Sequence, residues 1–232
     1  MLKLISSMAT RPLLVELAGL WQQASGVEVS IESVGGVDAA RRVHAGEAFD
    51  GVVLALDAIE KLIAGGQVLA AGRCDLARSC VALAVKAGMA VPDISTEAAL
   101  RSAVEAAPSI GYSTGPSGVA LVKLFERWGM WHALQARIVQ APPGVPVGLL
   151  LARGEVALGF QQLSELMHIE GISVVGTLPG DASITTVFSA AICAVSSQPK
   201  KLAQFLNVMQ SSDTTPIKQR HGMDALATPA AR

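Results

Sequence analysis

Excess charge of either sign is missing from this 232-residue sequence. Eighteen Lys and Arg stand against nineteen Asp and Glu, a formal net charge of −1 at pH 7. Such a balance gives no electrostatic case for gripping nucleic acid or another polyanion. Long apolar runs are also missing. The stretch Cys80 to Val85 stops at Lys86, far short of the ~20 residues a membrane helix needs, so no membrane insertion is expected. Three cysteines, Cys74, Cys80 and Cys193, form no CxxC pair. An odd count without metal spacing reads as small buried hydrophobes in a reducing compartment rather than a disulfide framework.

Nucleotide and hydrolase signatures are likewise missing. The sequence has no GxSxG elbow, no GxxxxGK[ST] loop and no GxGxxG fingerprint. His44, His132, His168 and His221 are isolated, so neither a metal site nor a cofactor is expected. Glu165 and His168 have Glu-x-x-His spacing, but a di-iron centre needs two such motifs and further glutamates, and both read as surface residues. Lys218, Arg220 and His221 read as a solvated basic helix face. What the chain does have is 51% apolar and only 16% charged residues, which excludes disorder.

Periodicity organises that apolar content. Leu2 to Ser6 is a short strand, after which Leu13, Leu14, Leu17, Leu20 and Trp21 recur at helical spacing, with Thr10 as N-cap and Pro12 in the first turn. Val27–Ile31 and 50–55 read as strands, each followed by a short helix (about 38–45 and 59–64). Beyond them, strands are expected at 79–86, 109–112, 138–139, 157–161, 172–175 and 185–196, and helices at 96–105, 119–128, 147–153, 163–168 and 198–209. A polar tail begins near Ala227. Alternating strands and helices predict an α/β fold with mostly parallel sheets. The β runs 79–85 and 190–195 are the natural crossing strands, giving one lobe from residues 1–79 and 190–232 and a second from 80–189. A ligand would lie between the lobes, at the carboxyl ends of strands.

Three strand-to-helix turns share one composition. They are Ser6-Ser7-Met8-Ala9-Thr10-Arg11, Gly35-Gly36-Val37-Asp38 and Ser113-Thr114-Gly115-Pro116-Ser117-Gly118. Helix starts offer unpaired N–H groups and partial positive charge, so they hold anions without lysine. Glycine admits close backbone approach, and hydroxyls add donors. The same residues are also ordinary helix caps, and both readings stand at this point. Arg11 is either a bidentate clamp for a carboxylate or a solvated first-turn cation. Gln161 and Gln162 follow a buried strand, where an amide serves a ligand or satisfies backbone groups.

These turns, the block Arg42-Val43-His44-Ala45-Gly46-Glu47-Ala48-Phe49-Asp50, the turn from Tyr112 to Gly118 and Gly159-Phe160-Gln161-Gln162 together resemble the periplasmic molybdate-binding proteins. The resemblance runs from about Leu2 to Met223. It implies the type II periplasmic-binding-protein fold: two α/β lobes with mostly parallel sheets, joined by two crossing strands. It also implies oxyanion contacts from a serine in each of the first two turns, from backbone amides, and from a tyrosine. On this chain the first serine falls near Ala9, beside Ser6 and Ser7; the second falls near Gly36; an amide falls near Val145; and the tyrosine falls at Gln162. Two hydroxyls and a phenol are thus replaced, which argues against molybdate.

The 113–118 turn with Gln161 and Gln162 is more similar to a divergent branch that handles organic acids, the aconitate-isomerase-like branch. The ligand set is then Ser6, Ser7, Thr10, Arg11, Gly35, Gly36, Ser113, Thr114, Ser117, Gly118, Val145, Gln161 and Gln162. Three functions follow: a non-catalytic binder of a small anion, an organic carboxylate above all; a cofactor-independent isomerase of an unsaturated acid; and binding of molybdate or another oxyanion. An effector-sensing module ranks below these. The isomerase needs a base, for which Tyr112, Glu165 and His168 are candidates. The start Met1-Leu2-Lys3-Leu4-Ile5 lacks the apolar run of ~7–15 residues of a secretory leader. As written the chain is expected in the cytoplasm, and a transporter partner follows only if the native protein is exported.

Overall fold

The computed structural model describes residues 1–226, so the polar tail expected from Ala227 lies outside the described residues. In chain order the first elements are β1 (Leu2–Ser7), α1 (Arg11–Ser25), β2 (Val29–Val34), α2 (Gly36–His44), β3 (Gly51–Ala55), α3 (Leu56–Ala64) and β4 (Val68–Lys86). Next come α4 (Glu97–Ala106), β5 (Ile110–Tyr112), α5 (Pro116–Arg127), α6 (Trp131–Leu134), β6 (Ile138–Gln140), α7 (Val147–Arg153), β7 (Leu158–Gln162) and α8 (Leu163–Leu166). The last elements among the described residues are β8 (Ile172–Thr177), β9 (Thr185–Cys193), α9 (Pro199–Gln210), α10 (Thr215–Arg220) and β10 (Asp224–Ala225). Two compact units result: residues 1–79 with the described residues from Val187 onward, and Cys80–Thr186. The backbone passes from one to the other within β4 and returns within β9.

In the first unit β1 is the parallel centre. It pairs with β2, Ser7 opposite Val34, and with β3, Ser6 opposite Val53. β3 then pairs antiparallel with β9. The period-2 alternation of strands divides the core. Leu2, Leu4 and Val53 point to the face covered by Leu13, Leu14 and Leu17 of α1 and Leu202, Phe205 and Leu206 of α9. Ile5, Val52 and Leu54 point to the face covered by α2 and α3 through Ala39, Val43, Ile59 and Leu62. α1 stops at Gly26, which takes the left-handed conformation (φ 69°) and returns its N–H to the Gln22 carbonyl. Asp50, only 7% exposed, ties the layer together by accepting from the Lys3 N–H (2.9 Å) and the Ser196 hydroxyl (2.7 Å).

The second unit repeats the plan around β5, which pairs in parallel with β6 and β7. The second half of β4 closes the sheet antiparallel to β7 and β8. Large side chains, including Val81, Leu83, Leu158 and Phe160, occupy the face under α4 and α5. The opposite face carries Ala82 and Ala84 with Gly111 and Gly159, and α7 lies close on it. A Cβ on Gly159 would stand 2.5 Å from Leu151 Cδ1 and 2.9 Å from Val147 Cγ1. These small residues let the start of α7 approach the strand ends.

The sheets are parallel at their centres and antiparallel where the crossing strands join, which is the type II periplasmic-binding arrangement. β4 begins at Val68, eleven residues before the expected Ser79; α6 and β10 had no counterpart in the sequence reading, and α10 only the helix face expected around Lys218 and Arg220. Gly159→Val is expected to destabilise by ~1–3 kcal/mol through overpacking. Gly19→Ala, exposed in α1 with nothing within 4 Å of the new Cβ, should stabilise by up to ~1 kcal/mol through helix propensity. Urea unfolding of the two variants measures both.

Candidate functional site

Register places the carboxyl ends of β1, β2 and β3 side by side, and each runs directly into a helical turn: at Met8, at Gly36 and at Leu56. Parallel strands followed at once by helices collect helix amino ends on one edge of the sheet. Ser7, 92% buried by its 8% exposure, sits at that edge, and its Oγ has no hydrogen-bond partner. Gly36 lies beside it, the position of its missing Cβ being 3.7 Å from Ser7 Cβ. The first and second turns therefore meet at Ser7. An unpaired buried hydroxyl carries a desolvation cost that a bound acceptor would remove.

The neighbouring hydroxyls are already engaged. Ser6 Oγ lies 2.8 Å from Ser33 Oγ. Thr10 occupies the N-cap position of α1 but makes no capping bond, its hydroxyl donating back to the Ser7 carbonyl at 3.0 Å. That corrects the expectation of a side-chain cap: at ψ −7° the Thr10 backbone is already helical, continuing the short 3₁₀ turn Met8–Thr10. Gly35 opens α2 with nothing within 4 Å of an added Cβ. Arg11 is the exposed first residue of α1, with no ion-pair partner among the described residues.

The second unit has an equivalent edge where β5, β6 and β7 end. Ser113 Oγ and Ser117 Oγ lie 3.1 Å apart across the turn into α5, and Thr114 is half-buried between them in sequence. Gly118 has a packing reason to be glycine, since a Cβ there would fall 1.8 Å from the Ser113 carbonyl oxygen. The Val145 N–H is spent on the Pro142 carbonyl at 3.0 Å. The Val147 N–H, at the start of α7, donates to Gln161 Oε1 at 2.8 Å. Gln161 thus satisfies backbone, the second of its two open readings. Gln162 Nε2 donates to Thr186 Oγ1 at 2.7 Å, while its Oε1 is buried without a partner. Turning the amide over would instead leave a donor unpaired there, the sense an anion needs.

The sequence reading placed Glu165 on the surface, and the structure corrects it. The residue keeps partial solvent access while its carboxyl is closely surrounded by protein. Burial pushes it up to about 7, against the opposing effect of a hydrogen bond from Gln161. Its one neighbour of note is neutral, so nothing pins it in the ionised form. The basic group near the end is corrected too. Lys218 is 3% exposed in the core near Cys74, and burial lowers its ammonium. Arg220 and His221 both bond Glu16 on α1 and hold its carboxyl below the usual range. Cys74 and Cys193 are buried, unpaired thiols pushed up to about 12, in keeping with small core hydrophobes.

Comparison with known proteins places this architecture. The family described as "bacterial extracellular solute-binding protein" matches residues 2–224, and the chain belongs to that family. It is similar to an aconitate isomerase of a Pseudomonas species, 36% identical over 214 residues, spanning 90% of this chain and 81% of that protein. Among solved structures, the periplasmic molybdate-binding protein of Azotobacter vinelandii superposes with a TM-score of 0.81 at 22% identity, over 98% of this chain and 100% of that one. The sulfate-binding protein SubI of Mycobacterium tuberculosis gives 0.79 at 16% identity, over 99% and 88%. At such identities these two show the shared fold alone. No helix among the described residues is long and apolar enough to cross a membrane.

A carboxyl whose folded value lies above the ordinary 4.5 binds its proton more tightly folded than unfolded. Stability from that proton is full below about 4.5 and is lost as pH rises through about 7. Glu165→Gln should therefore flatten the stability–pH curve between pH 5 and 8. Relative to wild type the variant should gain on the order of 2 kcal/mol across that span, read from urea unfolding at several pH values.

Proposed function

We propose that this chain binds a small organic carboxylate through neutral donors at the strand ends. In the first unit Ser7, Gly35 and Gly36 are the donors and Arg11 the flexible cation; in the second unit Ser113, Thr114, Ser117 and Gln162 form a donor set of their own. The single observation that carries the reading is the buried, unpaired Ser7 hydroxyl where the starts of two successive helical turns meet. Helix amino ends favour negative charge, and a guanidinium pairs a carboxylate through two parallel bonds. The smaller donor set expected from molybdate binders is further thinned here, because the Val145 and Val147 amides are already occupied. Molybdate is thereby disfavoured against a ligand that is held at more than one point.

Thermal unfolding with di- and tricarboxylates, sulfate and molybdate tests this. A ligand at a hundred times its Kd adds ~2.7 kcal/mol by mass action. A tricarboxylate should raise Tm by several degrees. Ser7→Ala and Arg11→Ala should each weaken binding by ~10-fold or more, as expected for a lost charge-assisted bond. Absence of any shift across the panel overturns the proposal.

One relative favours a second, catalytic reading. Similarity to an aconitate isomerase at 36% identity over most of both chains, together with a carboxyl held near neutrality on α8, which follows β7 directly, supports isomerisation of an unsaturated acid without a cofactor. Helix starts and hydroxyls would stabilise the enolate-like charge that develops. Incubation with cis- or trans-aconitate, followed by NMR, is expected to show interconversion. Unchanged substrate after prolonged incubation, with binding intact, leaves the simple binder.

A further inference from the structure

We propose that Gln162 reads one substituent of the ligand either as a carboxylate or as a hydroxyl, and that Thr186 is the positioning residue that lets its amide present either end. This deepens the carboxylate-binding reading above and rests on it. Gln162 closes β7, opposite Val81 of β4, and is 3% exposed. One end of its amide, Nε2, donates to Thr186 Oγ1 at 2.7 Å, and the other, Oε1, is buried without a partner. On the other side of β7, β5 runs parallel with Tyr112 opposite Phe160, so Ser113 and Thr114 leave the sheet at the level of Gln161 and Gln162. Ser113, Thr114 and Thr186 are all half-buried, so the neighbours of the enclosed amide, by register and by hydrogen bond, are residues that solvent reaches. A buried acceptor left empty there carries a desolvation cost that a ligand would remove.

The two adjacent glutamines differ in what holds them. Gln161 Oε1 accepts from the Val147 N–H at 2.8 Å. A backbone N–H only donates, so that amide has a single sense. Gln162 is held by a hydroxyl, which donates as readily as it accepts. With Nε2 turned to Thr186 the hydroxyl accepts; with the amide turned over, the hydroxyl donates to Oε1 instead. The anchoring bond survives in both orientations, and only the free end changes. An exposed oxygen there takes a hydroxyl or a protonated carboxyl, whereas an NH2 takes a carboxylate. The Ser113 and Ser117 hydroxyls, 3.1 Å apart, are reversible in the same way, since either oxygen can donate to the other.

That reversibility defines the ligand class. A site with hydrogen-bonding groups of fixed sense separates ligands that differ in one polar group by orders of magnitude, because the wrong ligand leaves a buried group unpaired. A reversible set repairs the mismatch by turning over. Ser113, Thr114, Ser117 and Gln162 carry no charge, so nothing in the set demands an anion at this substituent. The second unit therefore accepts polycarboxylates and hydroxy acids of the same skeleton alike, and discriminates against skeletons that bear neither group.

Three probes with the same two terminal carboxylates test this: glutarate, 3-hydroxyglutarate and tricarballylate, whose central carbon bears only hydrogen, a hydroxyl or a carboxylate. Titration calorimetry of wild type should show the last two binding within ~10-fold of each other and each at least ~10-fold tighter than glutarate. Gln162→Met should bring both down to the level of glutarate. Its unliganded Tm should move by no more than ~2 °C, because one hydrogen bond and one unpartnered oxygen are lost together. Thr186→Val should weaken both probes, and Thr186→Ser, which keeps the hydroxyl, should restore them. In 15N-labelled wild type the Gln162 side-chain NH2 signals should shift on binding, and differently with the two probes. A Gln162→Met variant that keeps the advantage of either probe over glutarate overturns the proposal, as does a wild type that binds tricarballylate and rejects 3-hydroxyglutarate by 100-fold; the carboxylate reading survives both. If Gln162→Met does not fold, NH2 signals that stay still while a probe binds overturn it by themselves. Wild type that binds none of the three, nor any other carboxylate, overturns the carboxylate reading, and this proposal falls with it.

Discussion

Parallel pairing with a common register is the constraint from which the candidate site follows. β1 lies parallel between β2 and β3, and within the other unit β5 lies parallel between β6 and β7. Strands so paired end at one edge, and where the chain turns at once into a helix its first N–H groups point out from that edge. A sequence can therefore build an anion-favouring surface from Ser, Thr and Gly, without lysine. Two further requirements have to be met: the helices must come close enough, and the turns must not fill the space. Gly111, Gly159, Ala82 and Ala84 meet the first by leaving room for Val147 and Leu151. Gly118 meets the second, because any side chain there would displace the Ser113 carbonyl.

What was legible in the sequence follows from the range of the forces involved. The α1 stripe of Leu13, Leu14 and Leu17 and the buried runs of β3 and β9 carry their burial in their spacing, so the α/β alternation could be read residue by residue. The first half of β4 could not, because Arg73, Asp75 and Arg78 interrupt the apolar pattern while the backbone stays extended. α10 was only partly legible for a related reason: its helix face was expected, but Thr-Pro-Ile-Lys-Gln-Arg has only Ile217 as an apolar anchor, and its lysine is buried against expectation. At the candidate site the turns were visible as composition, but the fate of each donor was not. Whether the Val145 N–H is offered or spent depends on the Pro142 carbonyl three residues away. Whether Gln161 serves a ligand or the backbone depends on Val147, fourteen residues earlier in the chain.

Glu165 shows how a neutral neighbour and a cation differ in consequence. Had an arginine occupied the place of Gln161, Coulomb attraction would have held the carboxyl ionised throughout the physiological range. A neutral amide lowers it only in part, so burial prevails and the group is pushed up to about 7. On the proposed reading the ligand is itself an anion. Its charge, arriving in surroundings poor in water, opposes ionisation of Glu165 further, so binding and proton uptake are linked. A site that held its ligand with several lysines would cancel that coupling. Holding it with helix starts and hydroxyls preserves the coupling, because partial charges spread over many N–H groups stabilise the ligand without imposing a full positive charge on the neighbouring acid. On the proposed reading, the scarcity of cations at these strand ends lets an anion be retained without fixing the charge of an acid near it.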